Sequence, residues 1–265
     1  MKINLPVPSS VLFFSLLAVL LFCQNLYAKE DGLVGRWTFD KSANAAEDSS
    51  GKNNSGKAGA ADVQNNPACV PEQRTDWSGP VTKMWIDKAA KQKAAEGSID
   101  VLFLGDSITQ LWMKDDKWPN GQKVWDKNYK PLKAVNFGVA ADRTDHLLWR
   151  IGKGKMIEGL TPKVCVLLIG VNNLLGWQGR QGGDTPENLA AAIGLILDNL
   201  KKQMPDTKIL LLGIFPALEP DAPVRDKILK TNKLVSSQAD FKKIFYLDIG
   251  EKFLVPDGKI DKEII

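Results

Sequence analysis

Val101-Leu102-Phe103-Leu104-Gly105-Asp106-Ser107-Ile108-Thr109 decides how the chain reads. A short apolar run bounded by a turn is the pattern of a strand buried on both faces. Here it leads straight into Gly-Asp-Ser and then into residues that can begin a helix. The serine would stand on a strand-to-helix turn, at the carboxyl edge of a sheet. Its own backbone N–H would lie at a helix start, where aligned peptide dipoles favour developing negative charge. The plain alternative is an N-cap turn without chemistry, since Asp and Ser are both favoured at helix starts. It is not a Gly-x-Ser-x-Gly nucleophile elbow, because Thr109 stands where the second Gly belongs.

Outward from this stretch, further short apolar runs at 133–136, 163–169, 208–213 and 242–249 predict four more strands. Helical patterns fall at 87–96, 186–204 and 225–241. In the second of these, Leu189, Ile193, Ile196, Leu197 and Leu200 share one face and Pro186 suits the first turn. Apolar strands alternating with helices imply an α/β domain over 76–265, with a five-stranded, mostly parallel sheet covered on both faces. Such sheets bind ligands at the carboxyl ends of their strands, near the topological switch point. Two more motifs follow strands: Asn136-Phe137-Gly138-Val139-Ala140-Ala141-Asp142-Arg143-Thr144, and Gly170-Val171-Asn172-Asn173. Gly138 would let backbone approach a substrate and donate its N–H; Asn172 carries a donor amide. Each alone is an ordinary turn, but three donors after three neighbouring strands suit an oxyanion hole.

These blocks resemble the SGNH, or GDSL-like, hydrolases, over about residue 71 to the end. Leu104 to Gln110, Val135 to Gly138 and Asp142 to Arg150 are most similar to the branch of the platelet-activating-factor acetylhydrolase subunits. The resemblance implies a flavodoxin-like three-layer α/β/α sandwich and hydrolysis of small acyl esters with no cofactor. It implies Ser107 as nucleophile, and an oxyanion hole from the Ser107 and Gly138 amides and the Asn172 side chain. The substrate expected is an acetyl or short acyl ester, with acetylated carbohydrate as one candidate. The family's last block, Asp-x-x-His, does not occur. The tail through Asp257 and Asp261 resembles the run leading into it, so the sequence reads as truncated at its carboxyl end, and neither aspartate is given a triad role. His146, the one histidine, is expected to be structural or to support the site from behind. Without an imidazole on Ser107 the given chain should be a poor catalyst; the rival reading is a binding module that keeps the pocket and has lost its base.

Composition narrows the rest. The chain has 265 residues, 44% hydrophobic and 25% charged, with a net charge of +4, which is globular and too weakly basic to argue for nucleic acid. One His and three Cys give no more than the four ligands that a histidine/cysteine zinc site takes, with Cys23 inside the export segment, and no metal is expected. Residues 1–28 read as a signal peptide, with Lys2, an apolar run at 11–22 broken only by Ser15, and a cleavage site at Leu26-Tyr27-Ala28. An exported (secreted or periplasmic) protein without a stable membrane anchor is therefore expected. Residues 29–75 resemble the opening of a laminin-G or concanavalin-like jelly roll, in Trp37-Thr38-Phe39-Asp40 and Asp48-Ser49-Ser50-Gly51. They are too short for two packed sheets and read as an extended segment with one strand. Cys165 reads as a buried thiol rather than half of a Cys69–Cys165 bridge. Trp149 is expected in the core; Trp112 and Trp177 are candidates for an acyl pocket.

Overall fold

Five strands form one sheet in the order β2-β1-β3-β4-β5, every neighbouring pair parallel. They are β1 (Val101–Gly105), β2 (Ala134–Gly138), β3 (Val164–Leu168), β4 (Lys208–Leu212) and β5 (Ile244–Leu247) in the computed structural model, which describes residues 65–76, 99–113, 121–177 and 180–262. Among the described residues six helices connect and cover them: α1 (Ser107–Gln110), α2 (Gln122–Asn128), α3 (Thr144–Ile151), α4 (Val171–Leu175), α5 (Pro186–Gln203) and α6 (Pro223–Ser236). The expected parallel sheet is present, without an antiparallel member. The signal peptide at 1–28, the stretch around Trp37-Thr38-Phe39 and the helix expected at 87–96 lie outside the described residues.

Alternation along each strand sorts the two faces. Leu102, Leu104, Val135, Phe137, Cys165, Leu167, Ile209 and Leu211 point to one side and pack against α3, α5 and α6. From α5, Leu189, Ile193, Ile196 and Leu200 are sealed from solvent; each such side chain contributes roughly 1.5–3 kcal/mol on burial. Val101, Phe103, Val164, Val166 and Leu210 point to the other side, beneath Trp125 of α2 and Tyr129. Trp112 belongs to this second layer, partly buried and edge-on to Tyr129 with ring centroids 5.5 Å apart. Trp149 is half-buried at the rim of α3 rather than in the core.

A strap, residues 65–76, runs across the first layer. Its Pro67–Cys69 turn seats Ala68 and Cys69 against Ala192 of α5. Cys69 and Cys165 are both buried free thiols, so no bridge joins them.

The chain leaves β1 toward β2 at one edge and returns to place β3 on the other side of β1. At a switch point of this kind successive loops depart in opposite directions, and a crevice at the carboxyl ends is where such sheets take their ligands. The loops after β1, β2 and β3 all end there.

Candidate active site

Strand β1 ends at Gly105, and Asp106 caps α1, its Oδ1 accepting the Ile108 N–H at 3.0 Å. Ser107 follows, partly exposed. Among the described residues no hydrogen bond engages its Oγ or its backbone N–H.

Gly138 has a different job from the one expected of it. Its N–H donates to Asn136 Oδ1 at 2.9 Å, so it is not presented to a ligand. The same Asn136 donates to Thr109 O at 2.6 Å, which ties the end of β2 to α1. A Cβ at 138 would lie 2.4 Å from Gln110 N and 2.8 Å from Asp106 O. Glycine is required here because α1 rests on it. The free donor after β2 is three residues on. Ala141 sits at φ +61, a left-handed conformation unusual for a residue with a side chain, and among the described residues no hydrogen bond takes up its N–H. The only sequence hint was small side chains at 140 and 141.

Strand β3 turns through Gly170, whose φ of +125 suits glycine, into α4. Asn172 donates from Nδ2 to the Asp142 main-chain oxygen at 2.9 Å. An amide nitrogen carries two hydrogens, so this bond fixes the group's orientation and leaves one donor over. Asn173 is committed elsewhere: its Oδ1 accepts the Thr144 N–H at 3.0 Å, and its Nδ2 donates to Thr144 Oγ1 and Asp184 Oδ2 at 3.0 and 2.8 Å.

Beneath these loops lies a buried charge network. Arg150, sealed in the core, donates to Asp142 Oδ2 at 2.7 Å, Phe137 O at 2.9 Å and Gly105 O at 3.2 Å. Arg74 of the strap reaches the other oxygen, Asp142 Oδ1, at 3.1 Å. Burial pushes the Asp142 carboxyl up, against the downward pull of Arg150 and Arg74.

His146 sits as a cap at the start of α3. Its Nδ1 accepts the Arg143 N–H at 3.1 Å, and Nε2 lies 3.7 Å from Asp145 Oδ2. Burial lowers its pKa to about 4 although Asp145 opposes the shift, so the ring is neutral at pH 7. Glu72, Asp145 and His146 come within 4.8 Å of one another. Asp145, however, is gripped by Arg143 at 2.8 Å and Arg180 at 3.0 Å, which already balance its charge. Asp257 is exposed and paired with Lys259 at 2.8 Å. Trp177 is an exposed side chain whose carbonyl accepts from Arg143 at 3.1 Å.

Asp106 yields a pH prediction. Its Oδ2 is buried without a hydrogen-bond partner among the described residues, and burial pushes the carboxyl up to about 7, with Ile108 N–H opposing and Asp142 adding to the rise. A folded-state value above the ordinary 3.8 means that folding favours the protonated acid. That contribution is complete below the ordinary value and is lost as pH rises through about 7. Asp106→Asn keeps an oxygen for the Ile108 cap and cannot ionise. The melting temperature of the variant minus that of the native chain should therefore grow between pH 4 and 8, by an equivalent of at most about 4 kcal/mol. A difference independent of pH would refute the assignment.

Comparisons with known proteins converge on this region. The GDSL-like Lipase/Acylhydrolase family model matches residues 103–264. Platelet-activating factor acetylhydrolase IB subunit alpha2 of Gallus gallus is 33% identical over 196 residues, covering 74% of this chain and 79% of that protein. The Homo sapiens subunit alpha1 is 29% identical over 198 residues, with shares of 74% and 79%. Among solved structures, a GDSL-like lipase from Bacteroides thetaiotaomicron aligns with a TM-score of 0.52 at 16% identity, covering 68% of this chain and 85% of its own; that likeness concerns the fold.

Proposed function

The chain belongs to the GDSL-like lipase/acylhydrolase family, and on that footing we propose that it cleaves acetyl or other short acyl esters through an acyl-enzyme on Ser107. Serine Oγ attacks the carbonyl carbon and gives up its proton to solvent water, the departing alcohol oxygen takes a proton as its C–O bond breaks, and a water molecule then adds to the acyl carbon and releases the acid and the Ser107 hydroxyl. The negative oxygen formed in each step is met by the backbone N–H groups of Ser107 and Ala141 and by the spare Asn172 Nδ2–H.

One observation carries this assignment. The Asn172 bond to the Asp142 carbonyl draws the loop after β3 onto the loop after β2, one residue from the unengaged Ala141 N–H. Three independent donors then serve the crevice beside β1. A single donor of this kind is typically worth ~10²–10³ in rate. Asn172→Ala is therefore expected to slow acylation of Ser107 by p-nitrophenyl acetate about 10²–10³-fold, followed by mass spectrometry of the labelled peptide. An unchanged acylation rate would remove Asn172 from the site.

On this reading residues 1–28 direct export, and the physiological ester is small, with acetylated carbohydrate as the candidate that suits an exported chain. A binding role without turnover is the second reading. It is favoured by the commitment of the one histidine to the start of α3, which leaves no imidazole in the given sequence to take the Ser107 proton.

A further inference from the structure

The strap at residues 65–76 precedes the stretch that the family model matches, 103–264, and is bound to the loop that follows β2 and to the start of α3 at several points. Thr144 Oγ1 donates to Ala68 O at 2.9 Å, and Glu72 N donates to Asp145 O at 3.2 Å. At its far end Arg74 is 3% exposed and forks. Its Nε donates to Asp76 Oδ1 at 3.0 Å, and a second nitrogen also meets Asp76. The remaining nitrogen donates to Ala140 O at 2.7 Å and Asp142 Oδ1 at 3.1 Å.

Those last two contacts bracket Ala141. One holds the carbonyl of the residue before it, and the other holds the side chain of the residue after it. Ala141 is therefore clamped in its left-handed conformation, which a residue with a side chain rarely adopts on its own. Its N–H direction is fixed by the same clamp. Asp142 also supplies the carbonyl that orients Asn172. A planar guanidinium can span carboxylate, carbonyl and carboxylate at once, whereas an ammonium is a single compact charge.

We propose that Arg74 is a positioning residue of the ester-cleaving site, holding the Ala141 N–H and the Asn172 amide in register from the strap upstream of β1. The assignment rests on the function proposed above. Arg74 touches no substrate; it acts through Ala140 and Asp142.

The test uses the full chain. In ¹H–¹⁵N spectra Arg74→Met should shift the Asn172 side-chain amide and speed its exchange. The Asn173 amide, held by Thr144 and Asp184, should stay in place. The saturating acylation rate of Ser107 with p-nitrophenyl acetate should fall about 10- to 100-fold, with the half-saturating ester concentration changed less than about twofold. That loss should shrink in an Asn172→Ala background, because the two residues act in one chain of contacts. Arg74→Lys, which keeps a positive charge beside Asp142, should recover part of both readouts, and it replaces Arg74→Met if the latter does not fold. An unmoved Asn172 amide in a folded variant overturns the proposal. So does an equal loss of rate in both Asn172 backgrounds. If Ser107 is never acylated while the Asn172 amide still answers to Arg74, the positioning contact is upheld and the esterase assignment is what fails.

Discussion

Ser107→Ala is expected to abolish acetylation of the chain by p-nitrophenyl acetate, seen as loss of a one-acetyl mass increase on the peptide containing residue 107. Steady-state turnover should change far less. A serine hydroxyl is a weak nucleophile until a base removes its proton, and no described group bonds Ser107 Oγ. Enzymes stripped of one triad member keep ~10³–10⁴ over water, from the oxyanion hole and substrate binding alone. Members of such a set act as a unit, so removing a second one costs little more. The given sequence, with its single histidine held as a cap, should start from that low level. The missing base also slows release of the acyl group, so an acetyl once transferred to Ser107 should persist long enough to be weighed. Rapid turnover destroyed by Ser107→Ala would mean that a base does reach the serine, and His146 would then have to leave the Arg143 N–H. No label on residue 107 in the native chain would dismiss it as nucleophile.

The strands were legible because each is buried on both faces and so reads as an unbroken apolar run. Their ends were less so. The fifth run was expected to pair from 242, but Asp240 Oδ1 accepts the N–H groups of Lys242, Lys243 and Ile244 at 2.7–2.9 Å, which bends those residues into a turn and delays β5 to Ile244. The helix expected to run to 241 stops at Ser236, and Phe241 at φ +52 lies in the turn beyond it. At the site, Ser107 and Asn172 stood out because each follows a strand directly. Gly138 drew attention for the right property and the wrong purpose: its missing side chain admits α1, not a substrate. Ala141 was hidden because the donor is set by a backbone angle that Val-Ala-Ala does not announce. Arg74 was hidden by distance along the chain, since it meets Asp142 across 68 positions and sits in a stretch whose composition reads as linker.

The largest loss of stability should come from Arg150→Met. The native guanidinium joins three groups that have no access to water: Asp142 Oδ2, Phe137 O and Gly105 O. Two of these are carbonyls at or beside the carboxyl ends of β2 and β1, so the side chain fastens together the strands that deliver Ser107 and the Ala141 loop. Methionine matches much of the volume and supplies no donor. Asp142, fully buried, would keep Arg74 alone as its charged partner. Breaking a buried pair from one side costs ~3–5 kcal/mol because the remaining charge is left uncompensated. For a domain of this size that corresponds to a fall of about 6–20 °C in melting temperature. The cause can be separated from the packing change. Asp142→Asn added to Arg150→Met removes the stranded charge while keeping the main-chain carbonyl that Asn172 uses, so the double variant should melt above the single one. As a contrast, Lys155→Met breaks an exposed pair with Glu158 and should cost less than about 0.5 kcal/mol. If Arg150→Met melts no lower than Lys155→Met, the charge network does not brace the crevice, and the fit of its loops must come from apolar packing alone.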